Sequence, residues 1–476
     1  MAEEPRKTAY PVRNPESADT FDSVDGAGLL AAAASPETAG PFVPRAVPQE
    51  PRVIPRAEHP ISRRDIAREA LSVLQRLRST GYRAYLVGGA VRDLYLGRPP
   101  KDYDVATDAR PSRLKKLFRN CRIIGRRFRI AHVFFPSGQI VEVATFRKNS
   151  TDVVRSDSGV ILQDNVYGSP GEDALRRDLT INGLFYDLES FSVIDYVDGV
   201  RDLQNGVIRT INDPNLSFRE DPARMVRALR HAARTGFRIE EATLEAVHAN
   251  CQEIVQTNPS RLLEELYKDL RSGASLPFFQ SLVESGLFEC ILPELATQLI
   301  QTTDGHPLWR RLEALDARTR AGTGFTNPVL LSLFLYTLLF PDPAYWEVSQ
   351  PGPPDVWRYL AQGFRRLPRT IRVSRRETER VAQILISLRK LFVCLERGKL
   401  TRSLRHKPYV SEALDVFGID LELSGKAQEQ VEEWKRDIMA LQRDHAAGSG
   451  EADGGQEESG DKGSGRRKRR RRRRPK

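Results

Sequence analysis

One short segment, residues 86–104, constrains the fold of this chain more than any other. It reads LVGGAVRDLYLGRPPKDYD, and its apolar start predicts a strand that ends at Gly88 and Gly89. Because glycine has no Cβ, a Gly-Gly turn between a strand and a helix lets backbone N–H groups approach a phosphate closely. The segment therefore predicts a strand, a phosphate-binding turn and a short helix in direct succession.

A second strand is predicted to begin at Asp102. Side chains of a strand alternate between two faces, so Asp102 and Asp104 point to one side while Tyr103 points to the other. Mg²⁺ in nucleotide-transferring sites is held by one or two carboxylates together with substrate phosphates. A lone Gly-Gly is usually a turn and a lone Asp-x-Asp a solvated loop. Their succession within one strand–helix–strand unit favours a Mg²⁺-dependent nucleotidyl transfer site.

These residues resemble the GG-x-[VR]-D…D-x-D motif of the polymerase-β-like nucleotidyltransferases, in the branch that holds bacterial poly(A) polymerases and class II tRNA nucleotidyltransferases. The likeness continues through most of residues 84–270. It implies an α+β nucleotidyltransferase head followed by an all-helical C-terminal region. The residues that it implies for the site are Gly88, Gly89 and Arg92 at the triphosphate, and Asp102 and Asp104 at two Mg²⁺ ions.

Periodicity and composition divide the chain into five segments. The predicted strands are residues 84–87, 102–106, 131–135, 140–146 and 193–197, and the pattern becomes helical after about residue 215. Residues 1–60 contain ten prolines and no periodicity, which predicts a disordered arm. The predicted segments are the arm (1–60), the catalytic head (61–215), a helical nucleotide- and RNA-binding neck (216–275), a helical RNA-binding body (276–445), and a flexible linker with a basic tail (446–476).

The tail carries nearly all of the net charge. Residues 466–474 are nine consecutive Arg or Lys and Lys476 adds a tenth positive charge, against a net charge of +11 for the whole chain. Such a block attracts polyanions by counterion release. We expect it to bind RNA, and it is also a candidate surface for RNA-decay proteins or another acidic partner.

Three features that would indicate a membrane, secreted or zinc-binding protein are absent from the sequence. No run approaches the ~18 apolar residues of a membrane span, and the N-terminus has no secretory signal. The four cysteines are scattered without a C-x-x-C pair, which favours free thiols in a reducing compartment and makes a zinc site improbable. The sequence therefore predicts a cytoplasmic protein without a membrane partner.

An acidic residue, Glu142, interrupts the predicted apolar strand at residues 140–146. Burying a carboxylate without a partner is costly. Two interpretations stay open: a third acid that serves the metals or accepts the proton of an attacking hydroxyl, and an edge-strand carboxylate paired with Arg147 or another base.

The stretch from residue 173 to residue 185, DALRRDLTINGLF, resembles the family motif R-R-D-[FL]-T-I-N. Asp178 and Asn182 stand four residues apart and would share one face of a helix. From spacing alone, capping and ion pairing are the default roles. The resemblance instead implies that Asp178 is a catalytic acid and that Arg177 and Asn182 lie near the nucleotide.

A third motif, REDPARMVRALR at residues 219–230, matches the family pattern E-D-[PA]-x-R-[ML]-x-R-A-x-R. Asp221 is a predicted N-cap before Pro222, and Asp221, Arg224 and Arg227 fall on one helical face. The match implies that these three residues bind the nucleotide, with Asp221 and Arg224 reading its base. A carboxylate and a guanidinium complement the donor–acceptor edge that adenine and cytosine share, so this pair cannot separate ATP from CTP.

Residues 114–135 favour ATP. They resemble the L-F-R-N-C-R-x-x-G-R-R-F-R-x-A-H-V stretch of bacterial poly(A) polymerases, and Arg126, Arg127 and Arg129 surround an aromatic residue in a pattern typical of RNA binding. The sequence therefore predicts template-independent addition of AMP from ATP to RNA 3′ ends. A CCA-adding or A-adding tRNA nucleotidyltransferase is the alternative of the same class, and a non-catalytic RNA-binding adaptor is the alternative of another class.

Overall fold

The computed structural model of the chain describes residues 50–125, 129–148, 154–155, 161–163, 166–301, 306–339, 356–425 and 428–450. By their internal contacts these residues form two compact units, one up to Ala382 and one from Gln383 onward. None of the described helices has the length and apolar character needed to cross a membrane.

The first unit is built on a mixed sheet. Within the described residues, eight strands form this sheet in the order β1-β10-β9-β2-β3-β6-β5-β4. All neighbouring pairs are antiparallel except β3 and β6, which are parallel. The strands are Arg52–Ile54 (β1), Ala84–Val87 (β2), Tyr103–Thr107 (β3), Cys121–Ile124 (β4), Ile130–Phe134 (β5), Ile140–Thr145 (β6), Val154–Arg155 (β7), Ile161–Gln163 (β8), Leu184–Asp187 (β9), Ser192–Asp195 (β10), Val207–Ile208 (β11) and Arg238–Ile239 (β12).

Helices follow the same chain order and dominate after residue 213. Those among the strands are Arg68–Ser79 (α1), Gly89–Tyr95 (α2), Pro111–Leu117 (α3), Pro170–Leu175 (α4) and Gly199–Asn205 (α5). The later helices of the first unit are Pro214–Glu220 (α6), Ala223–Thr235 (α7), Glu241–Asn250 (α8), Pro259–Leu270 (α9), Ser275–Glu284 (α10), Leu287–Ile291 (α11), Pro293–Gln301 (α12), Pro307–Arg320 (α13), Asn327–Leu339 (α14) and Val356–Arg366 (α15).

The second unit is helical throughout its described part. It begins within Arg375–Glu396 (α16) and continues with Arg402–Arg405 (α17), Val410–Leu423 (α18) and Glu429–Gly450 (α19). The rings of Phe392 and Phe417 meet edge to face with centroids 4.8 Å apart, and Lys435 of α19 forms an ion pair with Asp415 of α18 at 3.1 Å. Aromatic packing and this cross-helix ion pair therefore join α16, α18 and α19.

Alternation along the strands explains which face of the sheet is buried. In β6 the side chains of Val141 and Val143 are fully buried, whereas Glu142 between them is partly exposed. Strand residues of one parity face one side, so the buried set faces the core and the other set faces the opposite side. Helix α1 packs against β2, β3 and β6 and supplies Val73, Leu74 and Leu77 to this core.

Several segment boundaries differ from those that the sequence predicts. The arm was predicted to be disordered through residue 60, yet Arg52–Ile54 pairs with β10 through alternate backbone hydrogen bonds. Strand β3 begins at Tyr103, so Asp102 precedes the strand instead of opening it. Helix α19 runs to Gly450, past the predicted linker boundary at residue 446. In each case the backbone hydrogen bonds begin or end an element at a residue that composition alone does not identify as a boundary.

A buried charge cluster joins α7 to α9. Arg230 of α7 contacts Asp269 through Nε–Oδ1 at 2.6 Å and Glu265 through Nη1–Oε2 at 2.5 Å, and all three side chains are less than a tenth exposed. Burial opposes ionisation of Glu265, but Arg230 and Lys268 outweigh it and hold the pKa of Glu265 at about 2. The cluster therefore fixes the helix that carries the third sequence motif.

We expect Arg230→Met to destabilise the first unit by about 3–5 kcal/mol, because two buried carboxylates would lose their common partner. Urea unfolding followed by circular dichroism measures this loss. The surface variant Arg76→Met, on the exposed side of α1, is the control and should change the free energy of unfolding by less than about 0.5 kcal/mol. A similarly small effect of Arg230→Met would contradict the structural role of the cluster.

Candidate active site

The Gly-Gly turn lies between β2 and α2, and the side chains of two arginines lie next to it. Gly88 has φ = +70°, which a residue with a side chain rarely adopts, and a Cβ there would lie 3.1 Å from Nη1 of Arg177. A Cβ on Gly89 would lie 3.5 Å from Nη2 of Arg92. The N–H of Gly88 donates to the Leu184 carbonyl at 3.2 Å. The glycines therefore admit two guanidinium groups, which supplement the backbone as anion-binding groups.

Three carboxylates gather beside this turn. Asp104 lies directly opposite Val87 of β2 on one side and opposite Glu142 of β6 on the other. Burial and the neighbouring Glu142 carboxylate raise the pKa of Asp104 to about 6, and Asp102 adds to the rise while Arg177 and Arg227 oppose it. The mutual repulsion of these acids is the electrostatic condition that a bound cation relieves.

The structure bears on both interpretations of Glu142. Strand β6 lies between β3 and β5, so Glu142 is not on an edge strand. Nε2 of His132 lies 3.3 Å from Oε1 of Glu142, so the carboxylate has a basic neighbour, as the second interpretation predicts. Glu142 also lies beside Asp104 on the same face of the sheet, with its side chain 44% exposed, and its catalytic role stays a prediction.

Asp178 does not join that carboxylate group. It is buried between α4 and the 3-10 helix Thr180–Asn182, and Arg227 lies 2.9 Å from its Oδ2. Its Oδ1 accepts hydrogen bonds from the N–H of Leu179 at 2.9 Å and from Nδ2 of Asn182 at 3.4 Å. Burial opposes ionisation, but Arg227 and Arg224 outweigh it and lower the pKa of Asp178. These contacts make Asp178 the anchor of Arg227, and the catalytic role that the resemblance implies stays a prediction.

Arg92 is held by a histidine that no sequence motif identifies. Its Nη1 donates to Oδ1 of Asn182 at 2.7 Å and lies 3.2 Å from Nδ1 of His231, while its Nε donates to Asp93 at 2.8 Å. Because arginine only donates, Nδ1 of His231 is the acceptor. Burial and the adjacent arginines, Arg92 first, lower the pKa of His231 well below its usual value. His231 is therefore a neutral support for Arg92.

The third motif meets a residue from a distant helix. Asp221 accepts from both terminal nitrogens of Arg261 on α9, at 2.8 and 2.9 Å. Asp221 also ends α6, and the N-cap of α7 is Pro222, so the predicted N-cap role of Asp221 is wrong by one residue. Arg224 donates from Nη1 to Oγ of Ser217 at 2.8 Å and from Nη2 to the Arg176 carbonyl at 3.1 Å. Both predicted base-reading side chains are thus held in defined orientations.

Of the three arginines predicted to bind RNA, only Arg129 is described, and it is exposed before β5. Arg126 and Arg127 lie outside the described residues. No motif pointed to Arg261 or His231, since neither stands at a recognisable spacing from the residue that it contacts. Their signal is spatial, from the packing of α7 and α9.

The described residues fit Mg²⁺ only as an open site. No three described acidic, histidine or cysteine side chains converge closely enough to hold a metal ion by themselves. Asp102 and Asp104 supply the hard oxygen ligands that Mg²⁺ prefers, and Mg²⁺ usually completes its shell with water and substrate phosphates. Arg177 and Arg92 lie next to Gly88 and Gly89, respectively.

Two family models match the chain. Residues 84–209 match the poly A polymerase head domain, and residues 236–299 match the probable RNA and SrmB-binding site of polymerase A. The first match contains the carboxylates and the Gly-Gly turn, and the second contains Arg261.

Curated relatives cover the same region. Poly(A) polymerase I of Escherichia coli O6:H1 is 45% identical over 299 residues, which are 60% of this chain and 64% of that protein. Poly(A) polymerase I of Haemophilus influenzae is 40% identical over 53% of this chain and 57% of its own length. The CCA-adding enzyme of Lactobacillus helveticus is 36% identical over 49% of this chain and 57% of its own length. The chain thus spans less than two thirds of the length of these relatives.

Solved structures show the same fold. The CCA-adding enzyme of Bacillus stearothermophilus in complex with CTP is 24% identical and has a TM-score of 0.52, with 80% of this chain and 82% of that chain covered. An apo form of a CCA-adding enzyme has a TM-score of 0.51 at 21% identity. The α+β nucleotidyltransferase head with an all-helical C-terminal region, expected from the sequence, is confirmed.

Proposed function

We propose that the chain is a template-independent polyadenylating enzyme that transfers AMP from ATP to RNA 3′ ends, because residues 84–209 match the poly A polymerase head domain and residues 236–299 match the probable RNA and SrmB-binding site of polymerase A. The observation that carries this proposal is the group formed by Asp102, Asp104 and Glu142 beside the Gly88–Gly89 turn, inside the matched head domain. Pyrophosphate is the second product.

Two alternatives remain to be tested. A CCA-adding tRNA nucleotidyltransferase would use the same carboxylates, and the comparison with relatives favours the polymerase at 45% identity over 299 residues against 36% over 234. A non-catalytic RNA-binding adaptor has no need for clustered acids. The position of Asp102, Asp104 and Glu142 beside the Gly88–Gly89 turn therefore supports catalysis.

Mg²⁺ is the cofactor that we propose, held by Asp102 and Asp104. When bound, it would lower the pKa of the RNA 3′-hydroxyl and neutralise charge on the departing pyrophosphate. Arg92 and Arg177 would hold the triphosphate, since their guanidinium groups line the glycine turn. Asp173 and Asn182 in turn fix these arginines, through contacts of 3.0 Å to Arg177 and 2.7 Å to Arg92.

Glu142 is placed to remove the proton from the attacking hydroxyl. The 3′-oxygen would form a bond to the α-phosphorus, the bond to the β-phosphate oxygen would break, and the proton would pass to a Glu142 carboxylate oxygen. His132 orients this carboxylate, since its Nε2 lies 3.3 Å from Oε1. Asp178, the acid of the motif at residues 173–185, would act indirectly, by holding the Arg227 side chain in position.

We propose that Asp221 and Arg224 read the base and that Arg261 positions Asp221. A carboxylate oxygen can accept more than one hydrogen bond, so the paired contact with Arg261 is compatible with Asp221 accepting from an exocyclic amino group. Guanine and uracil present the reverse edge and would be rejected.

Arg261→Ala should therefore reduce the preference for ATP over GTP on the order of 10- to 100-fold, because Asp221 would lose its orientation. Arg261→Lys should recover only part of it, since lysine cannot make the paired contact. Steady-state incorporation of each nucleotide measures both effects. An unchanged preference in Arg261→Ala would show that Asp221 is oriented by other groups or does not read the base.

The remaining proposals concern partners and setting. RNA 3′ ends are the proposed polymeric substrate, and the basic tail, which lies outside the described residues, is proposed to bind RNA or RNA-decay proteins. All four cysteines are free, as the sequence predicts for a reducing compartment. We therefore keep the cytoplasm as the proposed location.

The direct experiment is incubation of the full chain with an unstructured oligoribonucleotide, Mg²⁺ and α-labelled ATP. We expect labelled AMP at the 3′ end and stoichiometric pyrophosphate. Binding of the oligonucleotide without incorporation of any of the four nucleotides would support the alternative of a non-catalytic RNA-binding adaptor.

A further inference from the structure

The sheet has a second exposed feature beyond the carboxylates. Strands β4, β5 and β6 turn one set of alternate side chains into the core, where Val133, Val141 and Val143 are buried. The opposite set is partly or fully exposed, and we call it the open face. Its members are Arg122 and Ile124 of β4, Ile130, His132 and Phe134 of β5, and Ile140, Glu142 and Ala144 of β6.

The open face is apolar and aromatic as well as exposed. Ile124 and Ile140 are 45% and 40% exposed, which is unusual for large apolar side chains on two strands of one sheet face. The rings of His132 and Phe134 lie side by side with centroids 6.3 Å apart, and the Arg122 guanidinium lies 5.6 Å from the centre of the Phe134 ring. Flat rings and apolar side chains next to an arginine are suited to stacked bases.

The charges near the open face favour a nucleic acid as its partner. The sequence contains no acidic residue between Asp108 and Glu142. Of the basic residues in this stretch, Arg122 is a member of the open face and Arg129 directly precedes β5, and both are exposed. A positive border around an aromatic surface complements a single-stranded nucleic acid, whose phosphates meet the basic groups while its bases stack.

The open face also leads directly to the proposed catalytic acids. Asp104 lies opposite Glu142, Glu142 opposite His132, and His132 opposite Arg122, so these four residues form one row across β3, β6, β5 and β4. Three steps between adjacent strands span about 14 Å. A strand of RNA whose 3′-hydroxyl reaches Glu142 can therefore follow the row to the edge of the sheet.

We propose that the open face is a stacking platform for the last nucleotides of the RNA substrate, with Phe134 and His132 under the bases and Arg122 on a backbone phosphate. The platform rests on the proposed function for the identity of its ligand as RNA. It would hold the 3′ end without reading its sequence, because every base has a stacking surface.

The first test measures binding of a 5′-fluorescein-labelled ten-nucleotide oligoadenylate by anisotropy, without ATP. Phe134→Ala should weaken binding about 5- to 100-fold, the range for loss of one stacked base. Phe134→Tyr keeps the ring and should keep the affinity. Phe191→Ala removes an aromatic side chain that is 40% exposed between β9 and β10, on the other side of β2 and β3 in the strand order, and serves as the matched control. Cross-linking of 5-iodouridine near the 3′ end should mark Phe134 or His132 in the wild-type protein.

The second test measures how the affinity depends on salt. Arg122→Gln should lower the slope of log affinity against log salt by about 0.7, the value for one phosphate contact on a single strand. Arg122→Lys should keep the slope. Arg76→Gln, at an exposed position of α1, should leave both affinity and slope unchanged.

The outcomes separate this platform from the proposed function. AMP addition by the wild type with unchanged RNA affinity in Phe134→Ala and Arg122→Gln would overturn the platform and leave the function standing. Oligoadenylate binding that depends on both residues, without AMP addition, would support the platform and overturn the function. A change of oligomeric state in Phe134→Ala without a change in RNA affinity would assign the face to a second copy of the chain and overturn the platform.

Discussion

Replacement of Asp104 by asparagine is expected to lower kcat for AMP incorporation by at least about 10³-fold. Asp104 is a partly buried member of the carboxylate group, and burial raises its pKa together with the neighbouring Glu142 and Asp102 carboxylates. Asparagine keeps the shape of the side chain but removes the negative charge that a cation needs. RNA affinity should remain, because the residue contributes no positive charge or stacking surface.

The matched control is Asp108→Asn. Asp108 follows the same strand but lies at the surface, where it accepts from the backbone N–H and from Nε of Arg83. Rapid-quench measurement of a single addition, at saturating RNA and ATP, compares the two variants. A near wild-type rate in Asp104→Asn, or an equal loss in Asp108→Asn, would contradict the assignment of Asp104.

Glu142→Gln is expected to lower kcat by about 10²- to 10⁴-fold, the usual contribution of a general base. The KM for ATP should change little, because the triphosphate and base contacts that we propose belong to other residues. Single-turnover addition at saturating RNA measures the rate, and its dependence on ATP concentration measures the effect on KM.

Glu69→Gln is the control, since Glu69 is an exposed acid of α1 that accepts from Ser137. If Glu142→Gln raised the KM for RNA and left kcat unchanged, Glu142 would be a binding residue of the open face. If it changed neither kinetics nor binding, the interpretation as a surface acid would be restored.

The local part of the site was predictable from the sequence. Strand alternation points the side chains of Asp104 and Tyr103 to opposite faces of the sheet. The Gly-Gly turn lies between a strand and a helix, as the sequence of residues 84–95 predicts. These features depend on neighbours within a few residues, where periodicity and glycine chemistry act. The same local rules misjudged Asp102, because nothing in its type distinguishes the first strand residue from the one before it.

Pairings between distant elements were not predictable. The interpretation of Glu142 depended on whether β6 is central, and only the strand order answers that question. Asp178 and Asp221 are both aspartates within family motifs, yet Asp178 forms an ion pair with Arg227 and Asp221 forms one with Arg261. A single sequence gives the charge of each side chain, whereas its partner is decided by how α7 and α9 pack.

The central claim is that this carboxylate group extends RNA with AMP. Its most direct test is extension of a generic oligoribonucleotide and of a tRNA lacking its 3′ CCA end, with each nucleotide supplied separately in Mg²⁺ and products resolved by length. We expect long adenylate tracts on the generic RNA with ATP, weak use of CTP and none of GTP or UTP. Addition of only C-C-A to the tRNA, without adenylation of the generic RNA, would contradict the claim.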